Sequence, residues 1–357
     1  MKIKVLFIIV ISFISCASNE PITQDEEFIE NESLYFPPIG SNIWETTSPE
    51  SLGWDTSNLQ SLIDFVEEKN SKSFIILHKG KIVTENYFNG HNENSLWYWA
   101  SAGKTLTSTI VGIAQDQDLL NINDKVSDYI GTNWTSASIE KENLVTNKNL
   151  LSMNSGLDDS LGESVAMEDL QYLADADSRW AYHNVYVKLQ DVITSATNMD
   201  WNDYFNLVLK DKIGLSGSWQ NVNNFSIYFS NTRSMARFGL MISAKGKWET
   251  TEIVSESFLN EATNTSQNIN ESYGYLWWLN GKSNYHLPQS QVEFQGSLIP
   301  NAPSDMYCAL GKNDQKIYIV PSKDLVIIRM GNAAGNENFA LSTFDNDLWE
   351  KINLLID

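Results

Sequence analysis

Hydrophobic positions fall into short blocks whose period changes along the chain. Leu59, Leu62, Ile63 and Val66 recur at helical spacing and predict a helix over Ser57 to Glu68. Phe74-Ile75-Ile76-Leu77 and Ile82-Val83-Thr84 flank Lys79-Gly80-Lys81 and predict a hairpin. Leu106, Ile110 and Ile113, with Val111 and Ala114 beside them, predict a buried helix face just after Ser101. From about residue 112 to 240 the pattern reads mostly as helix and loop, including helices over Val185 to Ser195 and Trp201 to Lys210. Gly239 to Ile253 begins a return. Strand-like stretches follow at Gly274 to Trp278, Met306 to Leu310, Lys316 to Val320 and Leu325 to Met330. Leu348, Ile352 and Leu355 then predict a closing helix over Phe344 to Ile356. The two ends of the chain are therefore expected to share one sheet, with a helical region inserted between them.

The first residues break this pattern. Two lysines within Met1 to Lys4 precede an almost unbroken apolar run, Val5 to Ile14, and Ser15 then precedes Cys16. This reads as a signal peptide, too short for a membrane span. A small residue followed by cysteine resembles a bacterial lipobox, although Phe13 stands where leucine is usual. The expectation is lipidation at Cys16 and an exported protein held to the membrane by acyl chains; the alternative is simple secretion with Cys16 removed. Residues 17–38 are polar and acidic, end in Pro37-Pro38 and read as a flexible tether to a body spanning 39–357.

Composition narrows the function classes. With 357 residues the chain can form one large domain, and a net charge of −21 argues against nucleic-acid binding. It argues equally against a basic hold on anionic lipid. After Cys16 only Cys308 remains, so no internal disulfide is expected. His78, His91, His183 and His286 share no ligand spacing, and neither a metal nor a cofactor is expected.

The chemistry centres on Ser101-Ala102-Gly103-Lys104, an S-x-x-K string at the start of a buried helix. That spacing puts hydroxyl and amine on one face, and the positive end of the helix dipole favours negative charge there. It suits a serine nucleophile with an adjacent base, while the plain alternative is a capping serine followed by a solvated lysine. A second S-x-x-K, Ser138 to Lys141, lies in a polar stretch with no such helix. The nucleophile elbow of Ser-His-Asp hydrolases, G-x-S-x-G, is absent around Ser101.

Together these stretches resemble the serine β-lactamase and penicillin-binding-protein superfamily, in its class C-like branch with carboxylesterases and 6-aminohexanoate-oligomer hydrolases. Ser101 to Lys104 matches the S-x-x-K element, and Thr146 to Leu157 matches a T-hh-LL-x-M-x-SGL stretch. Tyr182-His183-Asn184 matches Y-x-N. Tyr273 to Trp278 resembles the late YG-x-x-WW segment, and Ile317 to Pro321 with Leu325 to Arg329 resembles the closing strands. The resemblance covers roughly residues 53 to 355. It implies an α/β (α+β) fold of the β-lactamase/transpeptidase type, an antiparallel sheet flanked by helices.

It also implies roles. Ser101 is the nucleophile, and Lys104 and Tyr182 handle the proton. A nearby ammonium is expected to lower the Tyr182 pKa from about 10. Asn184 orients Lys104 or a substrate amide, or else caps the helix at Val185. Tyr87-Phe88-Asn89 and Tyr204-Phe205-Asn206 repeat the Y-x-N string in a hairpin end and a helix, and Tyr182 itself has a core alternative. The third family element, K-T-G or H-x-G, is missing; His78-Lys79-Gly80 fits the string but lies in the N-terminal hairpin. Its strand is expected at Tyr307 to Gly311, where the Leu310 amide pairs with the Ser101 amide as an oxyanion hole. Asp314 stands where relatives often have glycine, and Lys312 reads as a solvated turn lysine, with replacement of the missing cation as the alternative. Trp99, Trp180, Trp277 and Trp278 lie beside the motifs, as cleft lining or as core. The expected activity is cleavage of a small-molecule ester, amide or peptide-like bond through an acyl-enzyme. The alternatives are a β-lactamase or D-alanyl-D-alanine carboxypeptidase, and a silent surface-binding relative.

Overall fold

A computed structural model describes residues 33–222, 225–335, 337–338 and 341–357. The signal segment, Cys16 and most of the tether lie outside the described residues. Leu59–Glu68 forms the first helix, α1, entered through a single turn at Thr56–Asn58. Ser71–His78 (β1) and Lys81–Tyr87 (β2) make the expected hairpin, with Lys79 and Gly80 both at positive φ in its turn. Trp97–Tyr98 (β3) leads to the serine turn Ala100–Gly103 and helix α2, Lys104–Asp116. Helix α3 is Lys188–Thr197.

The inserted region is not only helix and loop. Ser218–Val222 (β4) and Phe225–Ser230 (β5) pair with each other, and β5 pairs with β3 in a small sheet of order β3-β5-β4. The helical pattern around them masks this hairpin. Helix α4, Thr232–Ser243, follows. Of the stretch Gly274 to Trp278 only its end is strand, in Trp278–Leu279 (β6). Tyr307–Gly311 (β7), Gln315–Val320 (β8) and Leu325–Gly331 (β9) match their predicted places, and Thr343–Ile356 (α5) closes the chain.

The main sheet is antiparallel, with order β2-β1-β9-β8-β7-β6, so the N-terminal hairpin and the late strands β7 to β9 do share one sheet. Alternation assigns its faces. Ile317, Val326 and Ile328 meet α4, which approaches so closely that a Cβ on Gly239 would lie 2.6 Å from Val326 Cγ1. Tyr318 and Arg329 point the other way, to α5: Tyr318 meets the Trp349 ring edge-on at 5.7 Å, and the Arg329 guanidinium lies 5.1 Å from the Phe344 ring centre.

The end of the predicted tether is part of the body. Tyr35 N donates to Lys79 O at 3.0 Å, and Arg237 on α4 donates to the carbonyls of Pro37 and Pro38 at 3.1 and 2.8 Å. The polar composition of 17–38 conceals Leu34, Tyr35 and Phe36, which pack on the core. Among the described residues no helix is long and apolar enough to cross a membrane.

Candidate active site

Local structure around Ser101 is set from both sides. Before it, Trp99 is fully buried, its backbone N–H donating to Tyr228 O at 2.9 Å and its indole N–H to Ser230 Oγ at 2.8 Å. These bonds tie the turn to β5, the hairpin that the sequence pattern did not disclose. Ala100 is then held at a φ of 48°, a left-handed conformation that is costly for a residue with a Cβ. After Ser101 the chain enters α2, in which every residue from Lys104 to Ala114 is buried.

Helical spacing brings Lys104 Nζ to 2.8 Å from Ser101 Oγ. Lys104 is almost completely buried, and burial lowers its pKa to about 7, with the Glu163 carboxylate opposing that shift. The Lys104 amine lies 4.9 Å from the Tyr182 ring centre and 4.4 Å from that of Tyr186. Ser101, Lys104 and Tyr182 are thus brought together. The capping alternative for this serine and lysine fits the second S-x-x-K instead: Ser138 Oγ accepts from Lys141 N, and Lys141 forms an exposed ion pair with Asp175 at 2.6 Å.

Tyr182 is placed by the Thr146 to Leu157 stretch. Thr146 and Asn149 form a reciprocal cap at the head of a short helix, Asn147–Leu151. The chain then turns through Met153 at positive φ, and the Met153 carbonyl accepts from Ala181 N at 2.8 Å. Aromatic rings enclose the other side, with Trp180, Tyr273 and Trp278 centred 5.9, 6.0 and 5.6 Å from the Tyr182 ring. Trp99, Trp180, Trp277 and Trp278 are all buried, so the four are core and wall, not exposed cleft lining.

The Tyr182 phenol departs from expectation. Burial pushes its pKa up to about 12, and the polar groups of Ser101 and Trp278 offset this only in part. Its Oη has no hydrogen-bond partner among the described residues. The nearby amine does not create a phenolate, because the same burial that penalises the phenolate holds Lys104 near neutrality and removes the charge that would stabilise it.

Asn184 also differs from its predicted place. It is the first residue of a single turn, Asn184–Val187, and does not cap it; the N-cap position falls on His183, which makes no side-chain capping bond. Its Nδ2 donates to Glu163 O at 3.1 Å, fastening the 158–169 loop beside the Tyr182 turn, and it makes no hydrogen bond to Lys104. The intervening His183 is buried, its Nε2 has no hydrogen-bond partner among the described residues, and burial, then the charges of Lys104 and Arg179, lower its pKa to about 3. His183 is therefore a neutral neighbour of the amine.

The missing third element has a backbone counterpart. Pairing between β7 and β6 ends at Cys308, and the next residues, Ala309 to Gly311, run past the serine turn. A Cβ on Gly311 would stand 2.5 Å from Trp99 O and 2.9 Å from Ala102 N, so only glycine permits this approach. Leu310 sits in the strand beside it. Lys312 is exposed in the following turn. Sequence reasoning passed over Tyr186 and Glu163, and named His183 and Gly311 without giving them a part in the site. Tyr186 alone left a usable signal, four residues beyond Tyr182 at the head of a predicted helix. Among the described residues no His, Cys, Asp or Glu cluster could hold a metal ion.

The fold and spacing have counterparts in known proteins. A carboxylesterase of family VIII aligns with 84% of this chain and 97% of its own at a TM-score of 0.64 and 14% identity. A protein from Bacillus anthracis provisionally assigned as a 6-aminohexanoate-dimer hydrolase aligns with 91% of this chain and 92% of its own, at 0.67 and 17%. In sequence, an uncharacterized protein from Alkalihalophilus pseudofirmus is 24% identical over 319 residues, 78% of this chain and 88% of that protein. Residues 64–348 match the family described as Beta-lactamase, and with most of its length inside that match the chain belongs to the beta-lactamase family of serine hydrolases.

Proposed function

We propose that the protein hydrolyses an ester or linear amide through an acyl-enzyme on Ser101. The observation that carries this reading is Lys104 Nζ at 2.8 Å from Ser101 Oγ, in surroundings that bring the amine's pKa to about 7. Near neutral pH a large fraction of Lys104 is free amine, able to accept the serine proton as Oγ attacks the carbonyl carbon. The carbonyl oxygen takes the negative charge and is met by the backbone amides of Ser101 and Leu310, a pairing worth about 10²–10³ in rate per donor. Tyr182, a neutral phenol, gives its proton to the departing oxygen or nitrogen and recovers one from the Lys104 ammonium. The C–O or C–N bond breaks, and water later releases the acyl group from Ser101.

An ester or linear amide is favoured over a β-lactam because β7 presents Ala309-Leu310-Gly311, with no cationic or hydroxyl side chain to hold a carboxylate. The family's other activity stays as the second reading, supported by the exposed Lys312 one residue past Gly311. The experiment is hydrolysis of p-nitrophenyl butyrate and nitrocefin by wild type, Ser101→Ala and Tyr182→Phe. Ester turnover lost in Ser101→Ala and lowered about 10²–10⁴-fold in Tyr182→Phe, with nitrocefin spared, is the expected result. Serine-dependent nitrocefin turnover would move the assignment to β-lactams, and full activity in Ser101→Ala would sink both. The same assay on cell fractions reads the proposed anchor: Cys16→Ser should shift activity from the membrane to the soluble fraction.

A further inference from the structure

We propose that Tyr186 is a positioning residue whose ring, with that of Tyr182, holds the Lys104 ammonium over Ser101 in the protonated half of the catalytic cycle. The inference rests on the hydrolase reading above and deepens it. A lysine ammonium has three N–H donors. Among the described residues Lys104 has one hydrogen-bond partner, Ser101 Oγ, and almost no exposure to water. What remains around Nζ is aromatic: the Tyr186 ring centre at 4.4 Å and the Tyr182 ring centre at 4.9 Å. Both distances fall inside the range in which a ring face attracts a cation, and that attraction grows when water is excluded.

The sequence supplies the pair simply. Tyr182 lies just before the Asn184–Val187 turn and Tyr186 within it, and the turn brings both rings against the amine. Tyr182 has a proton to donate. The Tyr186 phenol, like that of Tyr182, is pushed up by burial and stays neutral, and it is its ring that lies against Nζ. The remaining titratable neighbours are His183, neutral through burial, and Glu163, whose carboxylate favours the ammonium from the 158–169 loop. Without the rings, the amine could still take the serine proton, but the ammonium formed would keep only the Ser101 Oγ bond and the Glu163 carboxylate to hold it.

The test uses full-length protein carrying Tyr186→Phe or Tyr186→Leu. Ester turnover and the rate of fluorophosphonate labelling at Ser101 are followed from about pH 5 to about pH 10. Tyr186→Leu should lower kcat about tenfold with KM little changed. Its acid limb should move down by about one pH unit, because loss of the ring disfavours the ammonium. Tyr186→Phe keeps the ring and should restore most of the loss. A phenylalanine variant as impaired as the leucine variant would overturn the proposal, as would an acid limb that stays in place or moves up. Thermal melting checks that Tyr186→Leu is folded, and Tyr186→Met provides the same comparison if it is not. Ester turnover that survives Ser101→Ala would instead bring down the hydrolase reading itself.

Discussion

Lys104 and Tyr182 carry opposite shifts from one cause. Both are buried, burial disfavours the charged form of each, and so the amine falls to about 7 while the phenol rises to about 12. Near neutral pH both groups are therefore available in their uncharged forms, a base and an acid side by side. The expected kcat/KM profile rises with pH through about 7 as Lys104 loses its proton, then stays level until well into the alkaline range. A pH series with p-nitrophenyl butyrate checks this, and a profile flat across neutrality would reject Lys104 as the base. That Lys104 and Tyr182 are candidates for one site was legible because S-x-x-K before a buried helix and Y-x-N further along are local strings, and the structure brings the two side chains together. Their pKa values were not, since the rings around them come from afar in sequence: Tyr182 and Tyr186 lie against Lys104, and Tyr273 and Trp278 against Tyr182. The expected lowering of the Tyr182 pKa assumed a charge on Lys104 that burial takes away.

At the scale of elements, the β7–β8 turn shows how a departure in sequence is absorbed. Asn313 and Asp314 are both at positive φ, 60° and 61°, where glycine is least strained. Asp314 holds this conformation through its carboxylate, which accepts from Ser342 Oγ at 2.6 Å and Ala334 N at 2.8 Å and lies 3.1 Å from Lys316 Nζ. Lys316 also pairs with Asp345 on α5 at 2.9 Å, and Tyr318 donates to Asp345 at 2.6 Å. Arg329 adds a second cation, donating to the Asn313 and Asp314 carbonyls at 3.0 and 2.9 Å. Two carboxylates and two cations thus balance inside the sheet–helix interface. Lys316→Met would leave two buried carboxylates facing one guanidinium, and urea unfolding should show a loss of about 3–5 kcal/mol. A loss under about 1 kcal/mol would mean that the ions contribute little to holding the turn. The strands around this turn were readable from their apolar runs. The β4–β5 hairpin was not, because its residues lie within a mostly helical stretch and its partner, β3, is only two residues long.

For the whole molecule, the sharing of one sheet by the two ends of the body was legible, since apolar runs bracket a helical middle. Where the body begins was not. Arg237, from α4, reaches the carbonyls of Pro37, Pro38, Ser41 and Ile213, and its guanidinium lies 5.5 and 5.4 Å from the Trp44 and Trp248 ring centres. A contact across some 200 positions leaves no trace in local composition. The same global packing has an effect on Lys104 that reaches beyond the reaction. An unfolded lysine titrates near 10.5 and the folded one near 7, so between those values the unfolded chain binds more protons and native stability climbs with pH. Below about 7 the handicap is complete. Lys104→Met should therefore yield an inert protein that resists urea better than its parent at neutral pH, with the gap closing as pH nears about 10.5. A methionine variant no more resistant than wild type at any pH would refute this. The Lys104 amine is in this sense a built-in fault line: the dry enclosure that brings its pKa to about 7 also weakens the native state around it.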